Sequence, residues 1–335
     1  KRMPRVEKIA PEHTNGRRVI VTTMKDEGPF IMEWLAYHRA IGFNDFLIFS
    51  NDCSDGTDEL LDLLDEKGLI HHRQNPYRDM PGLKPQHAAL RAAEKEAVIS
   101  EADWIVCIDV DEFVNIKVED GRLADLFDAV PNANMISMTW RLFGNGDLDA
   151  FSDAFIVDQF QHAAPELCRK PHQAWGFKTL FRNLGHFKKL GVHRPKGLQA
   201  QLWQDINWVN GSGRPMPREM LRNAWRSTLG TYGYDLVQLN HYAVRSAESF
   251  LVKKARGRVN HTEREQGLAY GFRMNNNAEQ EKSILRRRNL LVAEWQSLMS
   301  DTEIAEMHAK CVNAHCQKIR QLHQDAGYSD LYAKL

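Results

Sequence analysis

Trp104-Ile105-Val106-Cys107-Ile108-Asp109-Val110-Asp111-Glu112-Phe113 is the stretch on which the fold turns. Ile105, Val106, Cys107 and Ile108 form an unbroken, mostly β-branched apolar run, the signature of a strand buried on both faces. The run then stops in three acids, Asp109, Asp111 and Glu112. Carboxylates at the end of a buried strand are costly unless a cation meets them. In an extended chain Asp109 and Asp111 point to one side, whereas a turn beginning at Asp109 lets Asp111 reach a metal and Asp109 a neighbouring ligand. Hard oxygen donors of this kind suit Mg²⁺ or Mn²⁺, ions that in enzymes also bind substrate phosphates. A solvated acidic turn is the plainer reading of the same residues.

Upstream, residues 18–23 are another short β-branched run, and they lead into the polar turn Met24-Lys25-Asp26-Glu27-Gly28-Pro29. Ile31, Trp34, Leu35, His38 and Ile41 then recur at helical spacing up to Gly42. A second strand over 45–50 enters the polar turn from Asn51 to Thr57, a helix follows over 57–67, and a third strand is expected over 69–73. Strand and helix alternate, which predicts an α/β fold with a mostly parallel sheet flanked by helices. In such sheets ligands bind beyond the carboxyl ends of the strands, so the turns around Glu27, Asp52 and Asp109 converge on one site.

Downstream, a helix is expected over 86–100, a short helix over 123–130 and a strand over 134–140. Gly144-Asn145-Gly146-Asp147 is a loop, and residues 203–232, polar and glycine-containing, read as a surface excursion. A strand from Leu236 ends in Asn240-His241-Tyr242, and Ser246 and Ser249 offer caps for a helix after it. The chain divides into a loose arm (1–17), a main domain (18–260) with a nucleotide-binding half (18–115) and an acceptor half (116–260), and a C-terminal helical extension (278–335). Ile284, Leu291, Trp295 and Leu298 share one stripe of that extension, which packs on the main domain or on a second copy as a homodimer. Arg286-Arg287-Arg288 keeps a peripheral membrane contact open.

The 335 residues carry 44 Lys plus Arg and 44 Asp plus Glu, a net charge of zero that argues against nucleic acid as a partner. No apolar run approaches the length of a membrane span and no leader is visible, so a soluble, cytoplasmic protein is expected, at the inner face of the membrane at most. The odd number of cysteines (Cys53, Cys107, Cys168, Cys311, Cys316) without framework spacing fits a reducing compartment. His308, Cys311, His315 and Cys316 can be drawn as a zinc site, but a single helix rarely encloses a metal alone.

Taken in order, Val21-Thr22-Thr23-Met24-Lys25-Asp26-Glu27-Gly28, Glu33-Trp34-Leu35-Ala36-Tyr37-His38 with Ile41-Gly42-Phe43, Ser50-Asn51-Asp52-Cys53-Ser54-Asp55-Gly56-Thr57, the 104–113 stretch, Trp140-Arg141-Leu142-Phe143-Gly144, Lys178-Thr179-Leu180-Phe181-Arg182 with Gly191-Val192-His193, and Asn240-His241-Tyr242 form a recognisable series. The sequence resembles glycosyltransferases of the GT-A (Rossmann-like) fold, specifically bacterial glycosyltransferase family 2 members of the branch that shares features with family 92. The resemblance covers about residues 18–260 and leaves the helical tail outside. It implies a nucleotide-sugar donor, UDP-sugar favoured, a glycan acceptor in bacterial surface polysaccharide synthesis, and Mn²⁺ or Mg²⁺.

By the same resemblance Glu27 meets the nucleoside, and Asn51 and Asp52 stand where paired acids usually hold the base or ribose. Asp109 and Asp111 match the metal motif, with Asp111 the direct ligand, and His241 completes the metal or diphosphate site. Lys84, Lys178, Arg182, His193 and Arg194 are candidates for further positive charge near the phosphates, Lys178 and His193 first. An inverting transfer needs a base on the acceptor hydroxyl, for which Asp147 and Asp149 are the candidates, with Glu112 and Asp153 behind them. Two other readings compete. A sugar-phosphate nucleotidyltransferase would show a glycine-rich basic loop after the first strand, where this chain is acidic with a single glycine. A non-catalytic carbohydrate-binding protein has no need of Asp109, Asp111 and His241 together.

Overall fold

The computed structural model describes residues 16–257 and 268–325. Most of the expected N-terminal arm, the chain either side of residue 260 and the last ten residues of the tail lie outside the described residues. Three strands and two helices follow the predicted alternation: β1 (Arg18–Met24), α1 (Gly28–Ala40), β2 (Asp45–Ser50), α2 (Thr57–Glu66) and β3 (His71–Gln74). Next come α3 (Pro85–Ala93), β4 (Trp104–Cys107), β5 (Glu112–Ile116), β6 (Met135–Leu142) and β7 (Phe177–Arg182). Then follow β8 (Trp208–Val209), β9 (Val237–His241), α4 (Ala247–Ala255), α5 (Arg288–Met299) and α6 (Thr302–Gln324).

The main sheet runs β3-β2-β1-β4-β7-β6-β9-β5, with β8 paired to β6. Strands β1 to β4 are mutually parallel, and β6, parallel to β9, points the same way. Only β7 and β5 run against them, β7 between β4 and β6, and β5 beside β9. The consequence is geometric: the last residues of β4, β6 and β9 and the first residues of β7 and β5 all meet at one edge. That edge carries the acids of the 104–113 stretch. The α/β class, the mostly parallel sheet and the C-terminal helices are as expected.

Burial explains why the early strands read clearly. Val19, Val21, Ile105 and Cys107 pack with the inner face of α3, while Ile20, Ile48, Val106 and Ile108 pack under α1, so both faces of each strand are apolar. Helix α1 is itself enclosed, with Ile31, Trp34 and Leu35 fully buried. Its outer face is covered by α5 and α6, whose Leu291, Leu298, Ile304 and Cys311 join the same core. The stripe on the extension is therefore buried inside this chain. A Cβ on Gly28 would lie 2.6 Å from Cys311 Cβ, so the first turn of α1 can carry only a glycine where α6 crosses it.

Three expectations change. The 86–100 helix breaks after Ala93 and resumes as a single turn, Ala97–Ser100. Glu94 turns aside to accept the Leu190 N–H at 3.0 Å, and Glu96 to pair with Arg73 at 3.1 Å. Residues 203–232 are an excursion only in part: most of them are exposed or half-buried, but Trp208, Met216 and Leu221 are buried beneath α3 and β7, and β8 extends the sheet. Arg182 is remote from the acids. Because β7 runs antiparallel to β4, Lys178 stands near the acidic end while Arg182 pairs with Trp104 at the opposite end.

Candidate active site

At the shared edge the chain leaves β4, turns at Asp109 and re-enters the sheet as β5. The Glu112 N–H donates to Asp109 O at 3.0 Å and the Asp109 N–H donates to Glu112 Oε2 at 2.9 Å, a closed turn that leaves Asp109 partly exposed and Asp111 buried. Glu112, expected as the third acid of the strand end, is instead the first residue of β5 and has no exposed surface. Trp140 Nε1 donates to its Oε1 at 2.7 Å. Burial pushes the Glu112 carboxyl up to about 8, against the pull of Lys178.

Lys178, at the start of β7, is 1% exposed, its Nζ 3.4 Å from Asp109 Oδ2 and 3.5 Å from Glu112 Oε2. Burial alone would lower its pKa, but the two carboxylates outweigh it and hold the ammonium charged. The cation expected near the phosphates thus sits between two of the acids. Gln86 Nε2 donates to Asp109 Oδ1 at 3.3 Å, which leaves that carboxylate oriented and a third exposed.

Asp111 is the deeper acid. Its Oδ2 is 2.5 Å from Lys253 Nζ and its Oδ1 is 3.8 Å from His241 Nε2. Burial alone would raise its pKa, but the Lys253 ammonium brings it well below the usual carboxylate range. His241 ends β9 opposite Glu112, with its ring 4.8 Å from that of Trp140. Its Nδ1 is buried without a hydrogen-bond partner, and burial pushes the imidazole down to about 4, so it is neutral with a lone pair to offer.

Whether a divalent cation fits can be judged from these atoms. Among the described residues no three His, Cys, Asp or Glu side chains are gathered as a closed metal site. Asp111 and His241 form an open pair, and 3.8 Å is too long for a hydrogen bond. It is inside the upper limit of about 4.2 Å for two donors each about 2.1 Å from one ion but wider than the about 3.0 Å between adjacent octahedral donors, so a small side-chain shift brings the pair onto an ion. Asp111 already holds a cation, the Lys253 ammonium, and one carboxylate oxygen with one imidazole nitrogen is a donor set that Mn²⁺ accepts. The residues fit the ion, with Lys253 in the position of a competitor.

Lys253 lies on α4, which also secures the turn after β1. One turn further, Arg256 donates to Glu27 Oε1 and to the carbonyls of Lys25 and Asp26. Arg245, just before the helix, donates to Glu27 Oε2 at 2.9 Å. Burial would raise the Glu27 carboxyl, but Arg256 and Arg245 bring it below its ordinary value. Glu27 is thus buried in a double clamp. Sequence reasoning missed Arg245, Lys253 and Arg256. The spacing of Lys253 and Arg256, one helical turn apart beside an acidic site, was the available signal.

Asn51 is buried at the end of β2 and accepts from Asn75 Nδ2 at 3.3 Å. Asp52, with φ of 53°, is exposed and accepts from Tyr77 Oη at 2.8 Å and Arg78 Nη2 at 2.6 Å. His193 packs between Trp140 and Trp225, with Nδ1 2.9 Å from Phe177 O, and burial pushes it down to about 3. Arg194 donates to the carbonyls of Ala224, Pro195 and Arg222, so its guanidinium fastens a loop. Lys84, at the head of α3, is exposed beside Gln86.

Asp147 and Asp149 are exposed on the loop after β6. That loop touches the start of α4, where Leu148 O and Asp149 O accept the N–H groups of Ala247 and Glu248. Asp153 lies further off, 3.4 Å from His308. Of the other residues of the drawn zinc site, His315 and Cys311 are packing groups on the inner face of α6, with His315 3.2 Å from Ser249 Oγ and Cys311 against Gly28, and Cys316 is half-buried.

The sequence profile of glycosyltransferase family 92 matches residues 21–200, more than half of the chain. A family 92 protein of Oryza sativa subsp. japonica is 32% identical over 102 residues, which covers 29% of this chain and 16% of that protein. One from Arabidopsis thaliana is 32% identical over 138 residues, covering 40% and 22%. The chain therefore spans about a fifth of the length of the curated relatives it matches. Among solved structures, residues 1–349 of S. aureus TarS superpose at 12% identity and a TM-score of 0.32, over 90% of this chain and 81% of that one. The profile match extends through β1, the acidic turn, Lys178 and His193, and by it the chain belongs to glycosyltransferase family 92.

Proposed function

We propose that this chain transfers a sugar from a nucleotide-sugar donor, UDP-sugar favoured, to a hydroxyl of a glycan, with inversion at the anomeric carbon. The observation that carries the proposal is the convergence of Asp109, Asp111, Lys178 and His241 at one sheet edge, which puts a buried cation, a neutral imidazole and two carboxylates side by side. Transfer forms a bond from the acceptor oxygen to the anomeric carbon and breaks the sugar–phosphate bond. The electron pair leaves with the nucleoside diphosphate, and the acceptor proton passes to a carboxylate.

Mn²⁺ or Mg²⁺ held by Asp111 and His241, with Asp109 beside it, would stabilise the leaving diphosphate. Lys178 orients Asp109 and keeps Glu112 in place, while Asn51 and Asp52, which follow the end of β2, are the proposed nucleoside side. Asp147 and Asp149 are the proposed bases, since both are exposed on the loop that borders α4. A bacterial surface polysaccharide as the acceptor, at the cytoplasmic face of the membrane, rests on the sequence resemblance. Among the described residues no helix is long and apolar enough to cross a membrane.

Calorimetric titration with UDP and with GDP, each with and without Mn²⁺, tests the donor reading on the wild type and on Asp111→Asn. Micromolar UDP binding that needs both Mn²⁺ and Asp111 is the expected result. Absence of nucleotide binding under every condition overturns it.

A further inference from the structure

Beside the acidic turn lies an open cleft of about 1210 Å³, between the head of α3 and the loops that follow β7 and β8. Its charge is one-sided. Lys84, Lys196, Arg218 and Arg222 line it, all four exposed, and no Asp or Glu among the described residues does. None of the four makes an ion pair with a described residue, although the whole chain has zero net charge. In a charge-balanced protein surface cations of this number usually find carboxylates, so a wall of unpaired ones focuses a positive potential into the cleft.

The cleft also has an aromatic floor. Trp203 is 41% exposed with the Arg218 guanidinium 4.8 Å from its ring, and Trp225 packs on His193 at 5.6 Å. An exposed indole presents an apolar face to the C–H side of a pyranose ring, while adjacent guanidinium groups take a carboxylate or phosphate in a bidentate grip. The cleft opens onto the reaction centre through two lining residues: Gln86, which donates to Asp109, and His193, which packs on Trp140. A saccharide held there can extend a hydroxyl towards Asp109.

From this arrangement we infer that the cleft is the acceptor subsite and that it takes an acidic saccharide, one bearing carboxylate or phosphate groups. This rests on the glycosyl-transfer reading above and names the substrate class for the same site. The cations meet the acidic groups of the acceptor, Trp203 meets a sugar face, and the donor stays on the far side of Asp109.

Calorimetry with three probes tests this: a galacturonic acid trimer, galactose 6-phosphate, and a galactose trimer as the neutral control. They are titrated into the wild type, Arg218→Ala/Arg222→Ala and Trp203→Ala, with a UDP and Mn²⁺ titration run on each protein. The substituted side chains are exposed, so thermal melting is expected to be unchanged and serves as the fold control. Tighter binding of at least one acidic probe than of the neutral trimer, by about tenfold or more and weakening with salt, is expected. The double variant should lose that preference, Trp203→Ala should weaken all saccharides, and UDP binding should stay as in the wild type. Preference for the uronate or for the phosphate identifies which acidic group is read. Equal affinity for acidic and neutral probes, or no saccharide binding, overturns the inference. Loss of UDP binding in the double variant also overturns it, by assigning the cations to the donor diphosphate. Acidic-probe binding without any UDP binding in the wild type leaves the cleft standing and removes the donor reading instead.

Discussion

Lys253 Nζ lies 2.5 Å from Asp111 Oδ2 and donates to Ala243 O at 3.0 Å, so a lysine from α4 occupies one oxygen of Asp111. An ammonium on Oδ2 and a divalent ion on Oδ1 of the same carboxylate repel each other. At about 4 Å and an effective dielectric near 20, two unit charges of like sign cost about 4 kcal/mol, and more for a divalent ion. Lys253→Met is therefore expected to raise Mn²⁺ affinity by at least about tenfold, read by the paramagnetic resonance signal of free Mn²⁺. Without metal the same variant should melt lower, because Asp111 is then a buried, unpaired acid, and Mn²⁺ should restore the melting temperature. Unchanged or weaker Mn²⁺ binding would show Lys253 to be a support for Asp111 rather than its competitor.

Lys178 gives a prediction about stability. Its ammonium is the buried counter-charge of Asp109 and lies 3.5 Å from Glu112 Oε2, and removing one partner of a buried pair typically costs about 3–5 kcal/mol. Lys178→Met should lower the unfolding free energy by that order in urea titration. A loss below about 1 kcal/mol would mean that the two acids find protons or water without cost.

A pH dependence follows from Glu33 on α1, which is buried and accepts the N–H groups of Ile156 at 2.6 Å and Val157 at 3.1 Å. Burial pushes its carboxyl up from the ordinary value near 4.5 to about 8. The folded state then binds a proton that the unfolded state has released, so stability falls as pH rises across that window. The contribution of Glu33 is whole below about pH 4.5 and lost by about pH 8. Wild type should lose more unfolding free energy between pH 5 and 9 than Glu33→Gln does. Parallel curves would remove Glu33 as the cause.

The contact between Gly28 and Cys311 tests the docking of the helical tail. Ala at the first turn of a helix is ordinarily neutral or better than Gly, yet here its Cβ would meet Cys311 Cβ at 2.6 Å. Overpacking of this kind costs about 1–3 kcal/mol. Gly28→Ala should destabilise by that amount, and adding Cys311→Gly should recover part of it despite the glycine placed in α6. Additive losses in the double variant would separate the two residues.

Strands β1, β2 and β4 were legible because burial on both faces leaves unbroken apolar runs, and the acidic turn because charge ends such a run abruptly. Lys178 and His241 were legible only as members of a motif series, since a lysine in one strand and a histidine ending another have no spacing that joins them. The antiparallel insertion of β7 is what brings Lys178 to the acids and carries Arg182 away, and strand direction has no local signature. Lys253 and Arg256 were hidden because a helical lysine or arginine reads as solvated until a carboxylate is seen beside it. The buried part of residues 203–232 was not legible because β8 is two residues long and its core consists of separated side chains, Trp208, Met216 and Leu221, with no period to detect.

The two candidate bases, Asp147 and Asp149, separate by kinetics. Asp147 is held at a φ of 59° with its N–H donating to Asn145 Oδ1 at 3.2 Å, while Asp149 offers its carbonyl to the start of α4. Neither carboxylate is in an ion pair with a described residue, so changing it to an amide leaves no buried charge behind. A general base contributes about 10²–10⁴-fold to rate. If Asp147 is the base, Asp147→Asn should reduce kcat by that factor with UDP and Mn²⁺ affinity unchanged, and Asp149→Asn should stay within a few-fold of the wild type; the reverse pattern assigns Asp149. A fall in donor affinity with kcat retained would make the loop a binding element, and the base would then have to be sought among the carboxylates at the sheet edge, Asp109 first, since its side chain is a third exposed and Glu112 has no exposed surface.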